Sequence, residues 1–366
     1  MLFFDIATLL PVVLLIAGVT FGGVWVWAAV LCISVLTWAL DRLVRRAAVV
    51  RGAGSEFPTG TGLAVGLGVA HLPLMALAVW AVGGASGHDL THRLGLLVGF
   101  GLFFGQVGHP NAHELIHKPA RWQQMLGRAI YVVMLYGHHA SSHLRVHHIH
   151  VGTDRDPASA PAGMGFWRYA ARAWGGSFMA GLRAETALRA RARMAPAVWT
   201  HPYARYLAGA AVCLALAAWI GGASGVLAYA GIAAYAQLQI LLSDYLQHYG
   251  LRRRIGADGR PEPVGARHSW NGPQFWSSAM MLNAPRHSHH HTHPGVAFPA
   301  LDLTEEMPTL PRSLPVMAVA ALIPPLWRRV MARPLARWGQ DKTDRRRDAD
   351  ADEILAHDGQ AGMDRL

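Results

Sequence analysis

The chain of 366 residues is poor in cysteine and in charged side chains. Its two cysteines, Cys32 and Cys213, lie in apolar segments, and no Cys-x-x-Cys occurs. This excludes a disulfide framework and a thiolate metal centre. Only 15% of the residues are charged, whereas 52% are hydrophobic and arrive in long blocks. The composition indicates an integral membrane protein.

Acidic residues are scarcer still: 22 Asp and Glu stand against 33 Lys and Arg, a formal net charge of +11. Nucleic-acid-binding proteins share such a balance, but here the arginines form short runs beside apolar segments, as the positive-inside bias produces. We therefore expect no nucleic-acid partner. The first apolar block follows Asp5 and lacks a clear small-residue cleavage site, so we expect it to remain as a span.

Six apolar segments approach the roughly 20 residues that a transmembrane helix needs. Gly22-Gly23 divides the first long run into a helical hairpin, and the small turn GGASG divides the last. Six spans put both termini and every basic loop on one side, which the positive-inside bias makes cytoplasmic. The predicted fold is an all-α integral membrane protein with a cytoplasmic histidine-rich catalytic cap. Its six predicted transmembrane helices are residues 7–21, 24–40, 62–82, 94–108, 204–220 and 226–246.

Outside the spans, the arginine-rich segment 153–203 suits a surface beside anionic lipid. The apolar segment 316–330 contains Pro324-Pro325, which favours a surface-docked helix over a seventh span. We expect residues 1–340 to form a single membrane-embedded domain. Residues 341–366 are charged and lack periodicity, which predicts a disordered tail.

Nine histidines stand near the cytoplasmic ends of the predicted helices. HELIH holds two of them four residues apart, HLRVHH repeats this spacing with one extra neighbour, and RHSHHHTHP offers positions i, i+3 and i+4. The nine are His113, His117, His143, His147, His148, His248, His287, His290 and His291. One zinc ion takes at most four ligands, so nine nitrogen donors suit two metal ions with open positions. Imidazole binds zinc, copper, iron and nickel alike, which leaves the metal open.

Two other hypotheses about these histidines are open. HELIH fits the His-Glu-x-x-His motif of zinc metalloproteases, with Glu114 as the general base, but this leaves the other clusters unexplained. A non-catalytic metal-binding membrane protein is the third hypothesis. Ordinary surface or packing roles are expected for His71, His88, His92, His201 and His357. Supporting roles beside the ligands are expected for His109, His138, His139 and His150.

The motifs HELIHK, HLRVHH with DRDPAS, DYLQHYGL, RHSWN and RHSHHHTHP follow one another along the chain. Their order and spacing resemble the signatures of membrane alkane 1-monooxygenases, which belong with the integral-membrane fatty acid desaturases and hydroxylases. The resemblance covers nearly the whole chain, and the combination is highly specific. It implies a non-haem centre of two iron ions. It also implies O2-dependent hydroxylation of the terminal methyl of a medium or long alkane to a primary alcohol.

Carried over position by position, the nine histidines named above correspond to the iron ligands of that family. Three positions depart from its pattern: Ser142, Gln247 and His289 stand where the family usually has acidic residues. Carboxylates behind metal ligands orient imidazole rings. The candidates that remain for this role are Glu114, Asp154, Asp156 and Asp244.

The resemblance further implies electrons from a separate rubredoxin with an NADH-dependent reductase, and we expect a multi-pass protein of a bacterial inner membrane. A basic cytoplasmic surface suits either an acidic electron carrier or lipid head groups. It includes Arg183, Arg189, Arg191 and Arg193. Hydroxylation or desaturation of a fatty acyl chain or an alkyl-aromatic compound is the alternative within the superfamily. We expect the substrate to reach the metals between the spans, through a channel whose lining the sequence does not specify.

Overall fold

The computed structural model describes residues 1–44, 59–192 and 197–338. Within these ranges the secondary structure is helical, apart from two isolated bridges, Ile255 with Pro261 and Asn271 with Thr309. The predicted tail, residues 341–366, lies outside the described residues. We number the main helices α1 Leu2–Phe21, α2 Val24–Leu43, α3 Thr61–Val82, α4 Leu90–Ile116, α5 Arg121–Val133, α6 His138–Ser142 with its continuation His143–His147 and His148–His150, α7 Phe166–Ala190, α8 Pro202–His248, α9 Phe275–Met280, α10 His287–Thr292, α11 Leu314–Ala321 and α12 Pro324–Trp338.

Five of these helices, α1, α2, α3, α4 and α8, are long and apolar enough to cross a membrane. The first four contain the predicted spans 7–21, 24–40, 62–82 and 94–108, and the predicted turn lies at Gly22-Gly23. Helix α4 runs on to Ile116 through a π-helical turn, Phe104–Gly108. The span therefore carries HELIH directly out of its own apolar segment, as the sequence predicts.

The predicted fifth and sixth spans, residues 204–220 and 226–246, both fall on α8. Its backbone leaves the helical conformation at Gly221 and Gly222, and Gly222 has a φ of 60°, which glycine adopts without steric cost. Ser224 Oγ donates to the carbonyl oxygen of Gly83 at 2.7 Å, so the break lies beside the loop that joins α3 to α4. The structure thus gives five candidate spans, the last of them broken, and the count of six stays a prediction.

Helices α4 and α8 both end at histidine motifs, so the remaining short helices gather at that end of the bundle. Asp41 Oδ1 at the end of α2 accepts hydrogen bonds from the backbone N–H groups of Trp276 and Ser277, at 3.1 and 2.9 Å, which attaches α9 to the spans. The segment that contains Pro324-Pro325 is divided into α11 and α12, and neither is a candidate span. This layer of short helices covers the histidines.

Candidate metal centre

The structure brings the nine predicted histidines together in two adjoining groups. One ring nitrogen from each residue lies within 4.8 Å of every other in its group. The ring centroids of His148 and His291, one from each group, are 4.6 Å apart. The five-histidine cluster contains His113, His117, His143, His148 and His290, and the four-histidine cluster contains His147, His248, His287 and His291. In the described part of the chain, no carboxylate belongs to either group.

Helix α6 supplies both clusters because its middle is a π-helical turn, His143–His147. A π turn bonds residue i to residue i+5, so side chains five apart come to share a face. His143 Nε2 accordingly lies 2.9 Å from His148 Nε2, while His147 points into the other cluster. The sequence predicts all three residues, but the i, i+4 spacing of a regular helix does not predict this division.

Helix α10 also spans the boundary between the clusters. His287 and His291 are one regular turn apart, with their Nε2 atoms at 3.1 Å, and belong to the four-histidine cluster. His290 lies on the adjacent face, where its ring centroid is 4.3 Å from that of His113. His248, the last residue of α8, places Nε2 3.0 Å from His287 Nε2. Helices α6 and α10 therefore contribute to both clusters, whereas α4 contributes only to the five-histidine cluster and α8 only to the four-histidine cluster.

The nitrogen contacts suit a cation better than a hydrogen-bond network. His143 Nε2 lies 2.8 Å from His113 Nε2 and 2.9 Å from His148 Nε2, which is in turn 3.2 Å from His290 Nε2. A ring nitrogen carries either a hydrogen or a lone pair, so it cannot donate to one neighbour and accept from another. His117 Nε2 and His147 Nε2 are buried without any hydrogen-bond partner. Orphaned buried groups of this kind point to a bound ion, and the all-imidazole donor set fits iron or another borderline metal.

Burial also keeps these rings in the neutral form that binds metal. Desolvation and the neighbouring imidazoles hold the pKa values well below the ordinary histidine value for His143, His148, His287, His290 and His291. Protonating one of them would place an unpaired cation among its neighbours. At neutral pH each of these five rings therefore carries one hydrogen and keeps one lone pair that can bind a metal ion.

His147 differs because Asp156 stands behind it. Its Nδ1 donates to Asp156 Oδ2 at 2.8 Å, which leaves the orphaned Nε2 to face the four-histidine cluster. Burial alone would lower the pKa of His147, but the carboxylate outweighs it and the pKa is raised. Asp156 is fixed by Ser159 Oγ at 2.7 Å and by the N–H of Ala158 at 3.0 Å. Of the four candidate carboxylates, Asp156 is the one that orients a cluster imidazole in the described structure.

The other three carboxylates have different surroundings. Glu114 Oε1 pairs with Lys118 Nζ at 2.6 Å and accepts from the N–H of Phe298 at 3.3 Å, and the residue belongs to neither cluster. Asp154 is exposed and pairs with Arg252 at 2.8 Å. Asp244 is buried and lines a small cavity with Asp156 and His147.

The three residues that depart from the family pattern make hydrogen bonds to groups outside the clusters. Ser142 Oγ donates to the carbonyl oxygen of His139 at 3.2 Å, and Gln247 Nε2 donates to that of Ala284 at 3.1 Å. His289 Nδ1 accepts from the N–H of Asp302 at 2.7 Å. None of the three belongs to either cluster, so the nine nitrogens are complete without carboxylates at these positions.

Histidines expected to support the ligands also lie outside both groups. His109 Nδ1 contacts the Tyr131 hydroxyl at 3.1 Å, and His139 stacks on His143 with ring centroids 5.3 Å apart. His138 packs against Trp174. His150 is only partly buried, and His357 lies outside the described residues. These contacts agree with a packing role next to the centre.

An apolar cavity of about 150 Å³ reaches residues that neighbour both clusters along their helices. Its walls come from α4, α8 and α11, and include Leu102, Tyr235, Leu242 and Ala318. His109, one turn before His113, and Gln247, next to His248, close the end nearest the histidines. Sequence reasoning did not find these residues, because three helices far apart in the chain contribute them and none carries a motif.

Comparison with known proteins agrees with this geometry. Residues 92–320 match the fatty acid desaturase family. Alkane 1-monooxygenase 1 of Pseudomonas aeruginosa is 31% identical over 314 residues, which cover 84% of this chain and 82% of that protein. The chain belongs to the alkane 1-monooxygenases of the fatty acid desaturase family. The family resemblance and the enzyme class predicted from the motifs are thereby confirmed.

Two further relatives match this chain over most of its length. Alkane 1-monooxygenase 2 of Pseudomonas aeruginosa is 30% identical and covers 86% of this chain and 85% of its own length. The hydroxylase component of xylene/toluene monooxygenase from Pseudomonas putida is 26% identical, covering 91% of this chain and 89% of that protein. The matched region contains all nine clustered histidines, since it extends from residue 92 to residue 320.

Proposed function

We propose that this protein hydroxylates the terminal methyl group of medium or long n-alkanes to primary alcohols, with two iron ions held by the nine clustered histidines. Its alkane 1-monooxygenase relatives support the reaction class. The balance is one alkane, one O2, two electrons and two protons in, and one alcohol and one water out. The observation that carries the proposal is an apolar cavity whose lining includes His109, one turn before His113, and Gln247, next to His248, so that it reaches neighbours of both all-histidine clusters.

A terminal C–H bond has no polarity for an acid or a base to exploit. Iron would supply the O2 activation, and the protein supplies placement, electronics and exclusion of water. The nine imidazoles would hold the metals, and Asp156 would keep His147 in the tautomer that presents Nε2. Leu102, Leu242 and Ala318 would orient an alkyl chain with one end toward His109. The substrate is a membrane solute and would enter this cavity without crossing water.

The same proposal includes the partners and the location. We propose that α8 crosses the membrane twice, with its turn at Gly221 and Gly222, which would give six spans. Both termini and the centre would then face the cytoplasm of a bacterial cell across the inner membrane. Electrons would come from a rubredoxin and its NADH-dependent reductase, since each turnover consumes two.

Glu114 weakens the protease hypothesis. In a His-Glu-x-x-His zinc site the glutamate must reach a metal-bound water to act as base. Here Lys118 and the backbone N–H of Phe298 engage its carboxylate, and the residue belongs to neither cluster. The nine converging nitrogens also exceed what one zinc ion takes.

Hydroxylation of an alkyl-aromatic methyl group is the second candidate. The xylene/toluene relative matches over 91% of this chain, so the shared architecture suits both kinds of methyl group. The cavity adjoins Tyr235 as well as aliphatic side chains. Both substrates present an unactivated methyl carbon to the same centre.

The test is turnover of purified protein in lipid nanodiscs with rubredoxin, its reductase, NADH and ¹⁸O2. Alkanes from short to long, an alkyl-aromatic and a fatty acid are supplied in parallel, and products are identified by mass spectrometry. We expect ¹⁸O in a primary alcohol from an alkane. Alkene, hydroxy acid or benzylic alcohol as the main product would favour a fatty acyl or alkyl-aromatic substrate over an alkane. Peptide cleavage without O2 uptake would overturn the proposed hydroxylation.

A further inference from the structure

A second concavity lies outside all candidate spans, at the end of the bundle that carries the histidines. We call it the arginine groove. It is about 460 Å³ in volume and is walled by residues 251–254, residues 262–263, residues 265–268, Glu306 and Trp338. The first wall follows His248, so the groove begins directly beyond α8.

The groove has a fixed shape because its two walls form a hairpin. The N–H of Glu262 donates to the carbonyl oxygen of Arg254 at 2.8 Å, and Ile255 pairs antiparallel with Pro261. Arg253 Nε donates to the carbonyl oxygen of Glu262 at 2.6 Å, which joins the walls again near the base. A preformed surface loses little entropy when a partner binds.

The charge of the groove suits an acidic partner. Four arginines, Arg252, Arg253, Arg254 and Arg267, stand against two glutamates, Glu262 and Glu306. Arg252 and Arg267 are exposed, and Arg252 also pairs with the exposed carboxylate of Asp154 beside the groove. The guanidinium of Arg267 also lies 5.9 Å from the ring centre of Trp338, so the rim combines cationic and aromatic groups. Arginine and tryptophan are the residues most enriched in energetically important interface positions.

The floor of the groove leads directly to the four-histidine cluster. His268 is almost fully buried there and its turn, Ala266–His268, packs against α10. Just beyond it, Ser269 accepts a hydrogen bond from Ser288 Oγ at 2.9 Å, between His287 and His290 in the chain. The N–H of Trp270 donates to the carbonyl oxygen of Gln247 at 2.8 Å, one residue before His248. An electron arriving at the groove therefore has short covalent and hydrogen-bonded routes to this cluster.

The other basic surface, formed by the arginines on and just after α7, is partly engaged in hydrogen bonds within the protein. Arg172 donates to the carbonyl oxygens of Pro157 and Ser159, at 3.1 and 2.6 Å. Arg189 donates to those of Ala197 and Thr200, at 2.9 and 3.2 Å. These arginines hold loops in place. Arg183 and Arg191 remain exposed and provide a matched comparison.

We propose that the arginine groove is the docking site of the electron donor, a small acidic one-electron carrier protein whose electrons would go to the iron held by the four-histidine cluster. This rests on the proposed function, which requires two electrons per turnover. Opposite charges across such an interface speed association and make it depend on salt. The sequence instead favours the arginines on and just after α7 as the docking surface. Charge reversals on the two surfaces therefore have different expected effects.

The experiment compares charge reversals on the two surfaces, with rubredoxin as the probe. Arg252→Glu with Arg267→Glu should raise the KM for rubredoxin by about tenfold or more, leave kcat within about twofold, and flatten the salt dependence. Arg183→Glu with Arg191→Glu makes the same change in charge and should leave KM within about twofold. The reverse pattern, or equal effects, would overturn the proposal, as would full turnover driven by NADH without a carrier protein.

A donor-independent measurement separates the two proposals. Each protein is reduced by dithionite under nitrogen and then given O2 and alkane, and the alcohol from a single turnover is counted. We expect equal yields from the wild type and both double variants, which also shows that they are folded. No alcohol from the wild type would contradict the proposed function, whereas equal yields with unchanged rubredoxin KM values contradict only the docking site.

Discussion

The two histidine clusters share helices α6 and α10 but differ in what surrounds them. All four members of the four-histidine cluster are buried, and one is held by the chain from His147 through Asp156 to Ser159. In the five-histidine cluster His117 and His148 are partly exposed, and no carboxylate in the described structure bonds to its rings. The four-histidine cluster is thus enclosed, and a carboxylate orients one of its rings. The five-histidine cluster has no such carboxylate but offers a fifth imidazole. If each cluster holds a metal ion as proposed, these different surroundings predict that the two ions bind independently.

The largest effect should come from removing one ligand of either cluster. His290→Ala and His291→Ala should each reduce alcohol formation more than about 100-fold, beyond the loss typical of an outer partner. Their neighbour His289 belongs to neither cluster, so His289→Ala should retain most of the activity. Rates of alcohol formation at saturating rubredoxin measure this. Equal activity in all three variants would remove the ligand assignment.

Asp156→Asn should weaken metal binding only at the four-histidine cluster. Without the carboxylate the pKa of His147 falls and the ring can turn, so affinity at the four-histidine cluster should drop about 10–100-fold. Titration of the apoprotein with Fe(II) should then show one weakened site and one unchanged site. Asp154→Asn, at an exposed residue paired with Arg252, is the control. Weakening of both sites together would contradict independent binding.

The cavity should set which chains reach the clusters. Ala318→Phe adds a ring to its wall on α11, so kcat/KM for long alkanes should fall about tenfold relative to short ones. Val316→Phe adds the same ring to the same helix outside the cavity lining and should leave the ratio unchanged. Competition between a short and a long alkane measures the ratio directly. An unchanged ratio in Ala318→Phe would place the substrate elsewhere.

Glu114→Gln should have the smallest effect, although the residue adjoins His113 of the five-histidine cluster. Its carboxylate pairs with Lys118, so the loss should be less than about tenfold and should come from leaving the Lys118 ammonium without its ion-pair partner. A zinc protease would lose its general base and all activity. Alcohol formation and cleavage of a model peptide, measured side by side, distinguish the two outcomes.

Much of this molecule is predictable from the sequence. The helices that contain the first four predicted spans, the turn at Gly22-Gly23 and the set of nine histidines follow from hydropathy and helical spacing. The division of those histidines does not, because the π turn His143–His147 changes which residues share a face. The break within α8 is marked by the GGASG motif, yet both predicted spans lie on one helix. The cavity and the arginine groove depend on tertiary contacts between distant segments, which no local pattern encodes.

Metal content tests the central claim most directly. Iron and zinc are quantified per chain in purified wild-type protein, His290→Ala and His291→Ala. If the two clusters bind metal independently, we expect about two iron ions in the wild type and about one in each variant. The two variants should lose iron from different sites, which distinct Mössbauer signals would show. A single zinc ion and no iron in the wild type would contradict the account.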